Sequence, residues 1–102
     1  MSSPAFLLIQ AQITHPKQFQ QYADAVYRLT QQFGGRYRVL GGEQVCLEGP
    51  APEGWRVVIS EWPSKDAALV FWHSPEYAAI KPLRSDAAEV IIQLFDGQPG
   101  DV

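Results

Sequence analysis

Phe33-Gly34-Gly35-Arg36-Tyr37-Arg38-Val39-Leu40-Gly41-Gly42 (33–42) is where the chain changes period. Upstream of it, Phe19, Tyr22, Val26, Leu29 and Phe33 recur at spacings of 3, 4, 3 and 4, one apolar stripe along a helix. Gln18, Gln21, Asp24, Arg28 and Gln32 fall outside the stripe. Gly34-Gly35 ends the helix, because glycine takes the left-handed conformation after a C-cap without steric cost. Arg36 to Leu40 then alternates as a strand does, and Gly41-Gly42 interrupts it. A glycine pair inside a strand predicts a bulge, a bend or a close backbone approach.

Working outward, Ala5 to Ile13 reads as a strand with Leu7, Ile9, Ala11 and Ile13 on one face and Phe6, Leu8, Gln10 and Gln12 on the other. Thr14-His15-Pro16 turns into the helix, with Thr14 or His15 near the cap and Pro16 at the first helical position. Downstream, Glu43 to Glu48 is expected to resume extended structure, and the Pro- and Gly-rich run from Gly49 to Gly54 is a loop. Trp55 to Trp62 is a third strand, with Val57, Ile59 and Glu61 on one face and Val58, Ser60 and Trp62 on the other. Pro63 stops it, and Ser64 caps a second helix with Asp66 in its first turn. Ala67 to Trp72 is apolar all round, so this helix is expected to turn no broad side to water. Ser74-Pro75 starts a further short turn, and Lys81, preceding Pro82, is expected outside helical geometry. Ala88 to Phe95 is the last strand, and residues 98–102 are read as a frayed tail behind a single domain, 1–97.

Strand, helix, strand, strand, helix, strand is the split pattern of the ferredoxin-like α+β fold, βαββαβ, with two helices covering one face of a four-stranded antiparallel sheet. Both faces carry large apolar residues: Phe6 and Leu8 against Leu7 and Ile9, Val57 and Ile59 against Val58 and Trp62, and Val90 to Phe95 on either side. A monomer would expose a patch of several hundred Å², roughly the size that soluble monomers avoid. A second protomer stacked sheet to sheet covers it, so a homodimer is expected.

The chain has 102 residues, 46% of them hydrophobic and 19% charged, with a net charge of −3. That composition makes a globular domain with no basic stripe for nucleic acid. No stretch is long and apolar enough for a membrane, the N-terminus lacks the features of a signal peptide, and the expected location is cytoplasmic. The lone Cys46, between Val45 and Leu47, reads as a small strand residue. No Cys/His/Asp cluster has metal-ligand spacing, so no metal or other cofactor is expected.

The chemistry concentrates in Ser74-Pro75-Glu76-Tyr77, with Arg84 after it and Glu61-Trp62-Pro63-Ser64 before it. Glu61, a carboxylate at the end of an apolar strand, is either an acid/base group or half of an ion pair with Arg84, Arg36 or Arg38. Arg84 is the candidate anion clamp. Glu76 fits a ligand contact or simple dipole compensation, and Tyr77 a rim or the core. His73 is a second acid/base candidate at a helix end; His15 is a turn residue. The cleft expected near Glu61, His73, Tyr77 and Arg84, walled by Trp62, Phe71, Trp72 and Tyr22, suits a small organic acid or aromatic metabolite. An alternative is a non-enzymatic dimer module knit by salt bridges.

Pro16 with Phe19 and Tyr22, Gly34-Gly35-Arg36, Gly41-Gly42, Val57-Val58-Ile59 leading to Glu61, Ser64, Ala67-Ala68, Phe71, Ser74-Pro75-Glu76-Tyr77 and Arg84 together resemble the domain-of-unknown-function family 1330 of mostly bacterial proteins. The resemblance covers nearly the whole chain. It implies a dimeric α+β barrel and no established activity. Because some similar dimeric barrels bind haem or run oxygen chemistry without a cofactor, the resemblance also leaves open a haem-binding barrel using His73 or a cofactor-independent oxygenase-like one. The chain departs from the family pattern at Leu40, where an Arg is usual, at Trp62, where a Phe is usual, and at Thr14-His15, where an acidic residue is usual.

Overall fold

A computed structural model describes residues 3–97; the tail expected at 98–102 lies outside them. The order is β1 (Ala5–Ile13), α1 (Pro16–Gln32), β2 (Arg36–Glu43), β3 (Arg56–Trp62), α2 (Lys65–Trp72), α3 (Pro75–Ile80), a 3-10 turn (Lys81–Arg84) and β4 (Ala88–Asp96). The sheet runs β2-β3-β1-β4 with every pair antiparallel, which is the ferredoxin-like topology.

The sheet has a definite inside. Across the register, Leu7 stands between Ser60 and Leu94, and Ile9 between Val58 and Ile92. These positions join Ala5, Tyr22, Leu29, Trp62, Ala68, Phe71 and Tyr77 in one core between sheet and helices. Burial of each large apolar side chain there contributes about 1.5–3 kcal/mol. Phe6, Leu8, Val57, Ile59, Ile91 and Phe95 alternate onto the other face, and Phe6 and Phe95 stack there at 5.6 Å.

The helix ends follow local chemistry. Gly34 has φ +95°, the left-handed value expected after the α1 C-cap. Gly35 is buried, and a Cβ there would meet Thr30 and Trp62 at 2.7 Å, so only a bare backbone lets the chain pass over the indole. Ser64 Oγ accepts from the Ala67 amide and Ser74 Oγ from the Tyr77 amide, each at 3.1 Å. His15 occupies the N-cap of α1 without capping it. Its Nδ1 instead donates to the Asp86 carbonyl at 2.8 Å, tying α1 to the turn before β4.

Three expectations need correction. The run from Glu43 to Glu48 is not a strand: β2 continues through the glycine pair with two bulges and stops at Glu43. Gln44 then closes the loop through Trp55 and Gly54, which uses the backbone groups a longer strand would need. Helix α2 does face water. Ala68 and Phe71 pack inward, while Val70 on the opposite side is 62% exposed, because the helix lies on the outside of the layer. Lys81 keeps right-handed helical angles before Pro82. The short 3-10 turn asks no hydrogen bond of the proline nitrogen, and it packs Leu83 against the core while Lys81 sits 5.0 Å over Trp72.

Candidate functional site

Between α1 and the inner sheet face lies a cleft of about 640 Å³, counting its open mouth. Leu7, Ile9, Val58 and Ile92 form its floor, and Phe19, Tyr22, Val26 and Thr30 project into it from successive turns of α1. Phe71, Trp72 and Tyr77 close one end; Tyr27 and Tyr37, stacked at 5.2 Å, form the other with Leu40. Most of this wall is hydrocarbon or aromatic ring.

Its few polar atoms are hydroxyls. Tyr22 and Tyr77 share a hydrogen bond, O to O 2.8 Å, although 55 residues separate them. Ser74 fixes Tyr77 from below: its Oγ accepts from the Tyr77 amide and donates to the Phe71 carbonyl at 2.7 Å. Thr30 and Tyr37 share a second bond at 3.0 Å, and Ser60 accepts from Trp62 Nε1 at 2.9 Å. Burial, with Tyr77 alongside, pushes the Tyr22 phenol well above the ordinary tyrosine range; Arg84 offsets part of that.

Arg84 stands behind the phenol pair, its guanidinium carbon 5.6 Å from the Tyr22 ring centre. Its Nε is buried and has no hydrogen-bond partner, and no carboxylate among the described residues pairs with it. Burial works against the cation, yet the two phenol oxygens outweigh it and hold its pKa above the usual arginine value.

The expected site residues therefore divide. Tyr22, Tyr77 and Trp72 line the cleft, and Arg84 adjoins it. Glu61 does not: the two-residue period of β3 points it to the outer face, where Arg38 Nε binds its Oε1 at 2.9 Å. Trp62 is 1% exposed beneath Gly35 and walls the core rather than the cleft. His73 is the exposed C-cap of α2, and Glu76 lies exposed in the first turn of α3; neither borders the cleft. A haem seated in the cleft would thus not meet His73. Thr30, Tyr37, Ser60 and Leu40 were not expected there. Thr30 carried a signal, one helical turn beyond Val26; Tyr37 lies opposite the inward Ser60 in the plain register, whereas Leu40 reaches the cleft only through the bulge between Tyr37 and Val39.

Among the described residues no three metal-ligating side chains cluster, and no helix is long and apolar enough to cross a membrane.

The profile of the domain of unknown function DUF1330 matches residues 4–98. The chain belongs to this family. No curated protein matches the DUF1330 chain in sequence. Its fold is shared by solved structures of low identity. A protein of unknown function from Rhodopseudomonas palustris is 20% identical, with a TM-score of 0.70 over 96% of this chain and 85% of that one. SnoaB, a cofactor-independent oxygenase from Streptomyces nogalater, is 13% identical, with a TM-score of 0.71 over 98% of each chain. A dimeric ferredoxin-like protein of unknown function from Thermobifida fusca is 14% identical, with a TM-score of 0.65 over 95% and 93%. At such identities the likeness to these structures establishes the fold of this DUF1330 protein and nothing finer.

Proposed function

We propose that this DUF1330 protein binds a small, flat, largely apolar metabolite, an aromatic compound or organic acid, in the cleft between α1 and the sheet. The observation that carries the reading is the Tyr22–Tyr77 hydroxyl pair, backed by an arginine without a carboxylate partner, at one end of an apolar cavity. Ring walls supply nondirectional affinity, while the hydroxyls orient the ligand's polar end. Arg84 adds short-range positive potential that favours a carboxylate or enolate. A thermal-shift series with benzoate, naphthoates and apolar analogues, run on wild type and Arg84→Ala, tests this. A ligand at a hundred times its Kd adds about 2.7 kcal/mol, several degrees for a domain this size. Binding to wild type that weakens for the acids in Arg84→Ala supports the reading. Absence of any shift, with Arg84→Ala merely less stable, overturns it.

The outer sheet face supports a homodimer as the form in which the cleft works. Phe95 and Ile91 are 46% and 40% exposed there, on the same face as the partly buried Phe6, Leu8 and Ile59, apolar surface that a second copy would cover. SnoaB offers a further reading of the same apolar cleft, oxygen chemistry without a cofactor. Oxygen uptake in the presence of a bound aromatic compound, with no added flavin or metal, tests it.

A further inference from the structure

The hydroxyls of the cleft are unequal in what they have left to give. A tyrosine or serine hydroxyl has one proton, whereas arginine and the tryptophan indole donate and never accept. The Tyr22–Tyr77 bond spends one of that pair's two protons. The other finds no acceptor in Arg84, which lies against the pair. Ser60 repeats the pattern: Trp62 Nε1 donates to its Oγ, and the Ser60 proton has no partner among the described residues. Thr30 and Tyr37 likewise spend one of their two protons on their shared bond. All five residues are among those that line the cleft, and all but Tyr37 are buried. A buried unspent proton costs more than a spare lone pair on an oxygen that is already bonded. The raised pKa of Tyr22 keeps its proton in place across the range of cellular pH.

We infer that the cleft is a donor-only recognition site, presenting one proton from the Tyr22–Tyr77 pair, one from the Thr30–Tyr37 pair and the Ser60 proton to an occupant that carries unprotonated oxygen acceptors on a flat apolar body: a ketone, quinone, enolate or carboxylate rather than an amine or a pure hydrocarbon. This rests on the cleft being a binding site and adds the polarity of its ligand. It also makes an unusual demand on mutants. Removing either phenol frees the proton that the pair had spent on itself, so a single Tyr→Phe change still leaves one phenolic donor facing the cleft. Only the double change removes the donor at that end of the cleft.

The experiment is isothermal titration with three probes: 2-acetylnaphthalene (acceptor only), 2-isopropenylnaphthalene (the same outline without a polar atom) and indole (donor only). The expected result is 2-acetylnaphthalene binding about fivefold or more tighter than its hydrocarbon counterpart, as one neutral hydrogen bond supplies, with indole showing no such gain. Tyr22→Phe and Tyr77→Phe, each alone, keep most of that preference; Tyr22→Phe/Tyr77→Phe reduces it. Equal affinity for the acetyl and isopropenyl compounds in wild type overturns the donor assignment while leaving the cleft a binding site. Loss of the preference in each single variant also overturns it. Absence of heat and of competition with every probe overturns the binding reading itself, and the polarity with it. The wild-type comparison needs no variant, so it decides even if the double change does not fold.

Discussion

Gly35 lies so close over Trp62 that a methyl group on its Cα would stand 2.7 Å from the indole Cζ2 and equally near the Thr30 methyl. Neither neighbour has room to give, since Trp62 is almost fully buried and Thr30 belongs to α1. Gly35→Ala is therefore expected to destabilise the protein by about 3 kcal/mol, at the upper end of overpacking costs. Urea denaturation monitored by tryptophan fluorescence checks this. Gly42→Ala, whose added Cβ would meet only the Val39 side chain at an ordinary 3.7 Å, is the comparison and should cost far less.

Tyr22 gives the protein a dependence on alkaline pH. Its phenol titrates well above the ordinary value in the fold, for which burial is the main cause. In the unfolded chain it titrates near pH ~10. Below that pH both states hold the proton and the neutral phenol's contribution is complete. Above it the unfolded chain releases the proton while the fold retains it, so stability falls by about 1.4 kcal/mol per pH unit for this group. Tyr37, also raised by burial, adds to the slope. Tyr22→Phe is expected to be less stable than wild type at pH 8 and to lose less between pH 10 and 11; denaturation midpoints at the three pH values give the answer.

The Arg38–Glu61 pair predicts a small effect on stability. Both side chains are substantially exposed, 51% and 33%, so solvent screens the attraction. Glu61→Gln should change unfolding free energy by less than about 1 kcal/mol. It should also leave the affinity of any cleft ligand unchanged, since Glu61 points the other way. A drop in ligand affinity measured by calorimetry would contradict this geometry.

Ile91 and Phe95 test the association of two sheets. Ile91→Glu or Phe95→Glu puts a charge into the apolar outer face without touching the cleft. If a second copy covers that face, light scattering on a sizing column should show a wild-type dimer and a variant monomer. Monomeric wild type at micromolar concentration would refute the dimer.

The architecture was legible because its punctuation is local. Gly34, Ser64 and Ser74 act on their own backbone neighbours, and their roles need no knowledge of the rest of the chain. The order of elements along the chain followed from period and breakers, but the choice of inner face did not. Leu7 and Phe6 are comparably apolar, and only their cross-strand neighbours Ser60 and Glu61 decide which meets the helices. The same limit explains the site. Tyr22, Tyr77, Trp72 and Arg84 could be singled out as types, yet a hydroxyl contact across 55 residues leaves no trace in either local sequence. Glu61 and His73 drew attention as titratable groups near the right segments, and a strand period and a helix C-cap turned them away from the cleft. Lys81 shows a general preference overruled, the pre-proline restriction yielding to the packing of Leu83 and Trp72 around a single tight turn.

Strand β2 is an outer margin of the sheet, and its two irregularities, with Gly41 at φ +83°, break the even row of amides and carbonyls that a straight margin would offer. A foreign strand needs such a row to zip onto a sheet. The glycine pair thus acts as a guard against ribbon-like growth along this margin. Ironing out the bulge, by deleting Gly41, would be expected to make the chain a fibre former.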